Sequence, residues 1–240
     1  MLKLRGSSRV LGVFLLCTGI FLIVAPFLWV ALQSFKYEIE ILKGSWVFTP
    51  TLFNYSDVLY SRRSDFLMNV ANSLIVATAS TIMVLLIGTL AAYSLSRLRW
   101  NRMIAGVFLG WTLIFNMITP LALVGPWYLI FRGIGLGDTL TALTLTHVAL
   151  HLPMTIWMMM AYFNDLPAEI EEAAMVDGCR RIDAFWRISL PLVQPGLIAA
   201  GVLAFVFSWN EFSVSLNLTS RESATIPVAI ARFAQQFEIQ

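Results

Sequence analysis

Charge is missing from five long stretches of this 240-residue chain, and that absence fixes the solvent it folds in. No Asp, Glu, Lys or Arg occurs in residues 10–35, 66–96, 103–131, 139–164 or 188–210. Each run exceeds the roughly 20 residues a helix needs to cross a bilayer core. A single central Asp, Lys or Arg would cost about 2.5–3.5 kcal/mol on insertion, which accounts for their exclusion. Backbone groups in hydrocarbon must pair within their own segment, so these runs are expected to be helices. A β-barrel would show short alternating segments instead. Composition agrees: 12% of residues are charged, against about 25% in a soluble domain. The expected fold class is all-α, a polytopic transmembrane helix bundle with five spans.

The first run is too long for the 7–15-residue core of a signal peptide, and no small-x-small site follows it, so it reads as a true span. Short positive flanks give the orientation. Lys3, Arg5 and Arg9 precede span 1; Arg97, Arg99 and Arg102 link spans 2 and 3; Arg180, Arg181 and Arg187 lie between spans 4 and 5. All fall on one side if the spans alternate, which puts the N-terminus in the cytoplasm. Lys36, Lys43, Arg62 and Arg63 fall outside, in a long loop where the rule is weak. The net charge of +2, without a dense basic run, gives no reason to expect nucleic acid. Cys17 and Cys179 do not make a disulfide framework. Pro120 and Pro126 predict a kink or break in span 3, and Pro153 a bend in span 4.

The loop between spans 4 and 5 is the most informative segment. Residues 164–191 hold six of the fourteen acidic residues. Pro167 suits the first turn of a helix, and the acids after it suit that helix's positive end. Gly178 suits the left-handed position that closes a helix. A second short helix is expected to reach Ile188 and to end at Pro191. Ala173 and Ala174 would let another surface approach closely. Ile182, Phe185 and Ile188, at helical spacing, are candidates for pinning the second helix to the bundle. From the residues alone, an amphipathic interfacial connector is an equally good reading.

The residue order resembles something more definite. Glu172-Ala173-Ala174, then Gly178, then Ile188-Ser189-Leu190-Pro191 resemble the EAA signature of ABC importer (type I) permease subunits, the binding-protein-dependent transport system inner membrane components. Asn72-Ser73-Leu74-Ile75-Val76-Ala77 and Ala91-Ala92-Tyr93-Ser94-Leu95-Ser96-Arg97 are similar to the sugar branch of that family. So are Gly135-Leu136-Gly137-Asp138-Thr139, Pro195-Gly196 and Ser208-Trp209-Asn210-Glu211-Phe212. The resemblance covers about Asn69 to Arg232 and is nearest the maltose-permease-like subunits.

The resemblance implies a division into residues 1–68, an N-terminal span with its outer loop, and 69–240, the ABC transmembrane domain. It implies a bacterial or archaeal cytoplasmic (inner) membrane, a second permease subunit, a cytoplasmic ATPase dimer, an external solute-binding protein and a sugar substrate. ATP and Mg would sit on the ATPase partner. No Gly-x-x-x-x-Gly-Lys-Ser/Thr loop occurs here, so the chain is expected to bind no cofactor directly and to be no enzyme. Glu172, Ala173, Ala174, Asp177 and Gly178 match the part that docks on the ATPase, and Ile188, Leu190 and Pro191 the part that ties this coupling helix to span 5. Asn116, Trp209, Asn210 and Glu211 are candidates for the substrate pathway, with interfacial anchoring as the plainer alternative. Asn217, Thr219, Ser220 and Arg221 match by position a loop that contacts the solute-binding protein. Relatives continue into a sixth span that is missing here, which predicts a chain truncated at its C-terminal end.

Three alternatives are weighed, the nearest being an ABC importer for something other than sugar, since amino-acid and peptide permeases carry related EAA loops. A proton- or sodium-driven transporter would place an ion-binding acid or base inside a span. Only His147 and His151 qualify, and such a pair serves more simply as hydrogen-bonding groups between helices. An intramembrane metalloenzyme would need Glu directly after the first His, where Val148 stands.

Overall fold

The computed structural model describes residues 6–60 and 65–238. Lys3, Arg5, Arg62 and Arg63 of the charge pattern lie outside the described residues. The chain divides into two compact units, Met1–Asp65 and Phe66–Gln240.

In the first unit, α1 (Gly6–Gln33) runs through Pro26 and is followed by α2 (Glu38–Leu42) and α3 (Phe53–Tyr60). A buried Lys36 organises the loop: its Nζ donates to the Ser45 carbonyl at 2.9 Å and sits over the Phe48 ring. Asn54 Nδ2 donates to the carbonyls of Ser34 and Lys36 at 3.0 and 2.8 Å, which fastens α3 to the end of α1.

The second unit is an all-α bundle. Its long helices are α4 (Phe66–Arg97), α5 (Arg102–Met117), α6 (Pro120–Gly133), α7 (Leu140–Asp165) and α11 (Gln194–Asn210). Between α7 and α11 lie α8 (Ala168–Val176), α9 (Arg181–Ala184), a π-helical turn (Phe185–Ser189) and α10 (Leu190–Leu192). After α11 come α12 (Ser213–Leu218) and α13 (Ile226–Glu238). Among the described residues, three helices, α1, α4 and α7, are each long and apolar enough to cross a membrane, and the count reaches five if each of two bent pairs is one span.

Those bent pairs correct two expected spans. Span 3 is α5 and α6, set at 101° to each other. The break falls at Ile118 and Thr119, both extended, before Pro120 and not between the two prolines. A residue before proline is driven out of the helical region, and Pro120 then starts α6 with no N–H to satisfy. Pro126 lies inside α6, and α7 continues through Pro153. The fifth run is likewise divided. Residues 188–192 belong to the preceding helical stretch, and the chain turns by 73° at Val193 before α11 begins at Gln194, with Pro195 in its first turn.

Close approach holds α4, α7 and α11 together. A Cβ on Gly88 of α4 would stand 2.8 Å from Thr155 Cγ2 of α7, and one on Gly196 of α11 would enter the Tyr162 ring. Small residues at such crossings replace the hydrophobic drive that lipid does not supply. Ala92, Tyr93, Met159, Phe163, Phe185, Val193 and Ala200 form the main core cluster beside these crossings. Trp157 Nε1 donates to Thr112 Oγ1 at 2.9 Å and ties α5 to α7.

Candidate functional site

The loop after α7 forms a helix–Gly–helix element tied to the bundle. Pro167 is the N-cap of α8, one residue earlier than expected, and Glu169 and Glu171 fall in its first turn. Gly178 takes φ +92°, the left-handed turn that sends the chain from α8 into α9, a conformation other residues reach at a cost of about 1–2 kcal/mol. The second helix does not end at Pro191. The π turn widens the backbone, with the Leu190 N–H bonded to the Phe185 carbonyl, and the helix continues through Pro191 to Leu192. Ile182 is 60% exposed, whereas Ala184, Phe185 and Ser189 are buried. Of the expected Ile182-Phe185-Ile188 stripe, Phe185 is buried and Ile188 half-buried, and only Ile182, in α9 before the π turn, faces outward.

Glu171 is the residue that sequence reasoning missed. It is 3% exposed. Arg97 Nε donates to its Oε1 at 2.9 Å, Ser189 Oγ to the same oxygen at 2.7 Å, and the Tyr93 hydroxyl to Oε2 at 3.0 Å. Arg97 Nη2 also donates to the Leu166 carbonyl at 2.5 Å, covering the end of α7. One carboxylate therefore joins α8 to α4 and to the stretch leading into α11. Tyr93 and Arg97 stand four apart on one face of α4, a visible sign of paired donors, but nothing in the sequence says which of six loop acids they meet.

The other expected loop residues divide into two groups. Glu172, Ala173, Asp177, Gly178 and Pro191 are exposed, and Val176, beside Ala173 on α8, is 87% exposed. Leu190 is half-buried against the core cluster. Ala174 is buried in this chain's own bundle at 8% exposure, so it does not offer the approach surface expected of it.

The opposite end of the bundle carries a second clamp. Asn72 Nδ2 donates to the carbonyls of Glu222 and Ala224 at 2.9 and 3.0 Å, and the Ile226 N–H donates to Ser73 Oγ at 2.8 Å. Asp138, at φ +56°, accepts from the Ser220 N–H at 2.7 Å and from the hydroxyls of Ser220 and Ser223. Arg232 of α13 donates to the carbonyls of Ser220 and Thr219. Partial burial pushes the Asp138 carboxyl up, but the Ser220 and Ser223 hydrogen bonds outweigh it, with help from Arg232, and hold it below its ordinary value. Thr219 is buried, its hydroxyl bonded to the Ser215 carbonyl, whereas Asn217, Ser220 and Arg221 are exposed. Segment 217–225 is thus a fastened strap and not the open loop its polar composition suggests.

The pathway candidates do not form one site. Glu211 is turned inward, with a side chain 10% exposed. It accepts from the N–H groups of Val214 and Ser215 and from the Ser215 hydroxyl, at 2.8–2.9 Å, and so caps the start of α12. Its carboxylate lies 3.6 Å from Nε2 of fully buried His147, which is beyond hydrogen-bond length. His147 Nδ1 bonds Ser208 Oγ at 2.6 Å, and Ser208 bonds Ser80 at 3.0 Å, a polar line across α7, α11 and α4. His147 serves as an interhelical hydrogen-bonding group, whereas the buried Nε2 of His151 has no hydrogen-bond partner among the described residues, and its ring lies tilted 6.0 Å from that of Phe207. Asn116 and Asn210 are exposed and bond carbonyls of their own helices, and Trp209 stacks on Phe205. Among the described residues, no three His, Cys, Asp or Glu side chains gather to hold a metal.

The described helices form an all-α bundle of the polytopic membrane class. The chain belongs to the family of binding-protein-dependent transport system inner membrane components, whose family model matches residues 84–240. It is 34% identical to the trehalose transport system permease protein SugB of Mycobacterium tuberculosis, over 89% of this chain and 78% of that protein. It is 35% identical to the trehalose/maltose transport system permease protein MalG of Thermococcus litoralis, over 87% and 75%. In fold it matches a chain of a bacterial ABC transporter involved in the import of the acidic polysaccharide alginate. That match has a TM-score of 0.81 at 22% identity and covers 100% of this chain and 85% of that one.

Proposed function

We propose that this chain is a permease subunit of an ATP-driven carbohydrate importer in a bacterial or archaeal inner membrane, and that α8 is its coupling helix. The carrying observation is the division of the lever: Glu171 and Ala174 are fixed to the bundle while Glu172, Ala173 and Val176 stand clear. A partner can therefore grip the outer face of α8 without unfastening it. Small Ala173 and apolar Val176, flanked by Glu172 and Asp177, suit a cleft on an ATPase that binds ATP and Mg itself. In this reading the lever is cytoplasmic, as the positive flanks require, and the strap faces the external solute-binding protein through Asn217, Ser220 and Arg221. A second permease subunit completes the pathway, with Asn116, Trp209 and Asn210 as candidate lining. The named relatives that carry trehalose and maltose support carbohydrate as the substrate class.

The test uses the importer assembled from this chain and the partners encoded beside it, reconstituted in proteoliposomes. A photo-crosslinker at Ala173 is expected to capture the ATPase subunit, and labelled disaccharide is expected to enter only with ATP and Mg. Capture of no ATPase would overturn the coupling role, and uptake sustained by a proton gradient without ATP would overturn the importer class.

A further inference from the structure

We infer that Glu171 is the strut through which displacement of α8 reaches the membrane helices, a positioning residue distinct from the exposed docking face. The proposal rests on the coupling reading, and it concerns the other side of the same helix. A lever must be stiff where it joins its load. α8 has nine residues and two exposed flanking turns, so its own backbone gives it little hold on the bundle. Three charge-assisted or buried contacts converge instead on one carboxylate, from Arg97 and Tyr93 of α4 and from Ser189 of the π turn.

The geometry makes the joint rigid in more than one direction. Arg97 and Ser189 approach the same oxygen from opposite elements, 2.9 and 2.7 Å away, and Tyr93 holds the second oxygen. Arg97 is also locked to the carbonyl that ends α7. The side chains of the ion pair are only 10% and 4% exposed, so water cannot replace a lost partner easily. Charge-assisted bonds of this kind are shorter and stronger than neutral ones. A push on Glu172 or Ala173 is therefore delivered to α4, α7 and the base of α11 together, through an element one residue away from the contact face.

Two measurements on the reconstituted importer separate docking from transmission. Crosslinking from position Ala173 reads the first, and substrate delivered per ATP hydrolysed reads the second. For Glu171→Gln, the crosslink is expected to persist while the delivery ratio falls about fivefold or more, the range of ordinary coupling energies. Ser189→Ala removes one arm and leaves the ion pair; its ratio is expected to fall by about twofold to tenfold, the effect of one hydrogen bond. Should Glu171→Gln fail to assemble, the ratio in Ser189→Ala decides the matter by itself. A persistent crosslink with an unchanged ratio in every variant that assembles would overturn the strut. An absent crosslink in the unsubstituted importer would instead overturn the coupling reading beneath it.

Discussion

Replacing Ser208 by Ala tests whether the polar line through the bundle stabilises it. Ser208 is 4% exposed and its hydroxyl has two partners, His147 Nδ1 at 2.6 Å and Ser80 Oγ at 3.0 Å. Interhelical hydrogen bonds in membrane proteins average about 0.6 kcal/mol and reach about 1.7. Losing both predicts a destabilisation of about 1–3 kcal/mol. His147, at 0% exposure, has no water to turn to, which favours the upper half of that range. Ser80→Ala removes only one of the two bonds, and its effect is expected to be about half as large. The assay is reversible unfolding of the purified chain in mixed micelles with increasing SDS, followed by Trp fluorescence. The double variant Ser80→Ala/Ser208→Ala is expected to cost less than the two single effects added, because both remove the same bond. Strict additivity, or an unchanged midpoint for Ser208→Ala, would refute the claim that α4, α7 and α11 are joined here.

Three further outcomes are expected. Gly88→Ala should destabilise the bundle by about 1–3 kcal/mol through overpacking, and Thr155→Ser, which deletes the obstructing methyl, should recover most of the loss in the same SDS assay. Gly178→Val should lower ATP-driven uptake and cost at least about 1–2 kcal/mol, because φ +92° disfavours any side chain and a branched one most. Because the Asp138 carboxyl is held below its ordinary 3.8, its contribution is complete above that pH and is lost as pH falls through the lowered value. Protease sensitivity of segment 217–225 should stay flat from neutral pH to about pH 4 and rise only below it; in Asp138→Asn the sensitivity should be raised throughout and this pH step should vanish.

The membrane-spanning stretches were legible because exclusion of charge is a property of whole segments, and it survives any detail of packing. The break at Pro120 was legible for a local reason, the steric demand of proline on its neighbour. The helix–Gly–helix form of the loop followed from Pro167 and Gly178 in the same way. What escaped was every feature set by partners far apart in sequence. Glu171 and Glu172 are adjacent acids with no local difference, yet one is buried by Tyr93 and Arg97, 78 and 74 residues away, and the other is exposed. Glu211 looked like an interfacial charge because its cap on α12 and its neighbour His147 lie outside its own helix. The π turn escaped because hydrophobic periodicity assumes a constant 3.6-residue repeat, which one wide turn interrupts. The motifs quoted for the family resemblance prove to have a shared physical content. Tyr93 and Arg97 secure the lever, Asn72, Ser73 and Asp138 secure the strap, and Ser208 joins three helices.

The corner between α5 and α6 has a consequence for hydration. With the charged Arg102 at the start of α5 kept out of hydrocarbon, the sixteen residues of that helix rise only about 24 Å, less than a hydrocarbon core about 30 Å thick. A corner at Ile118 and Thr119 then falls within the bilayer's depth, where the last carbonyls of α5 lack helical partners. Acyl chains cannot solvate those groups, and each would cost several kcal/mol if left bare. Wherever this corner sits in an assembled membrane, it borders water or another polypeptide, and lipid tails are kept from it.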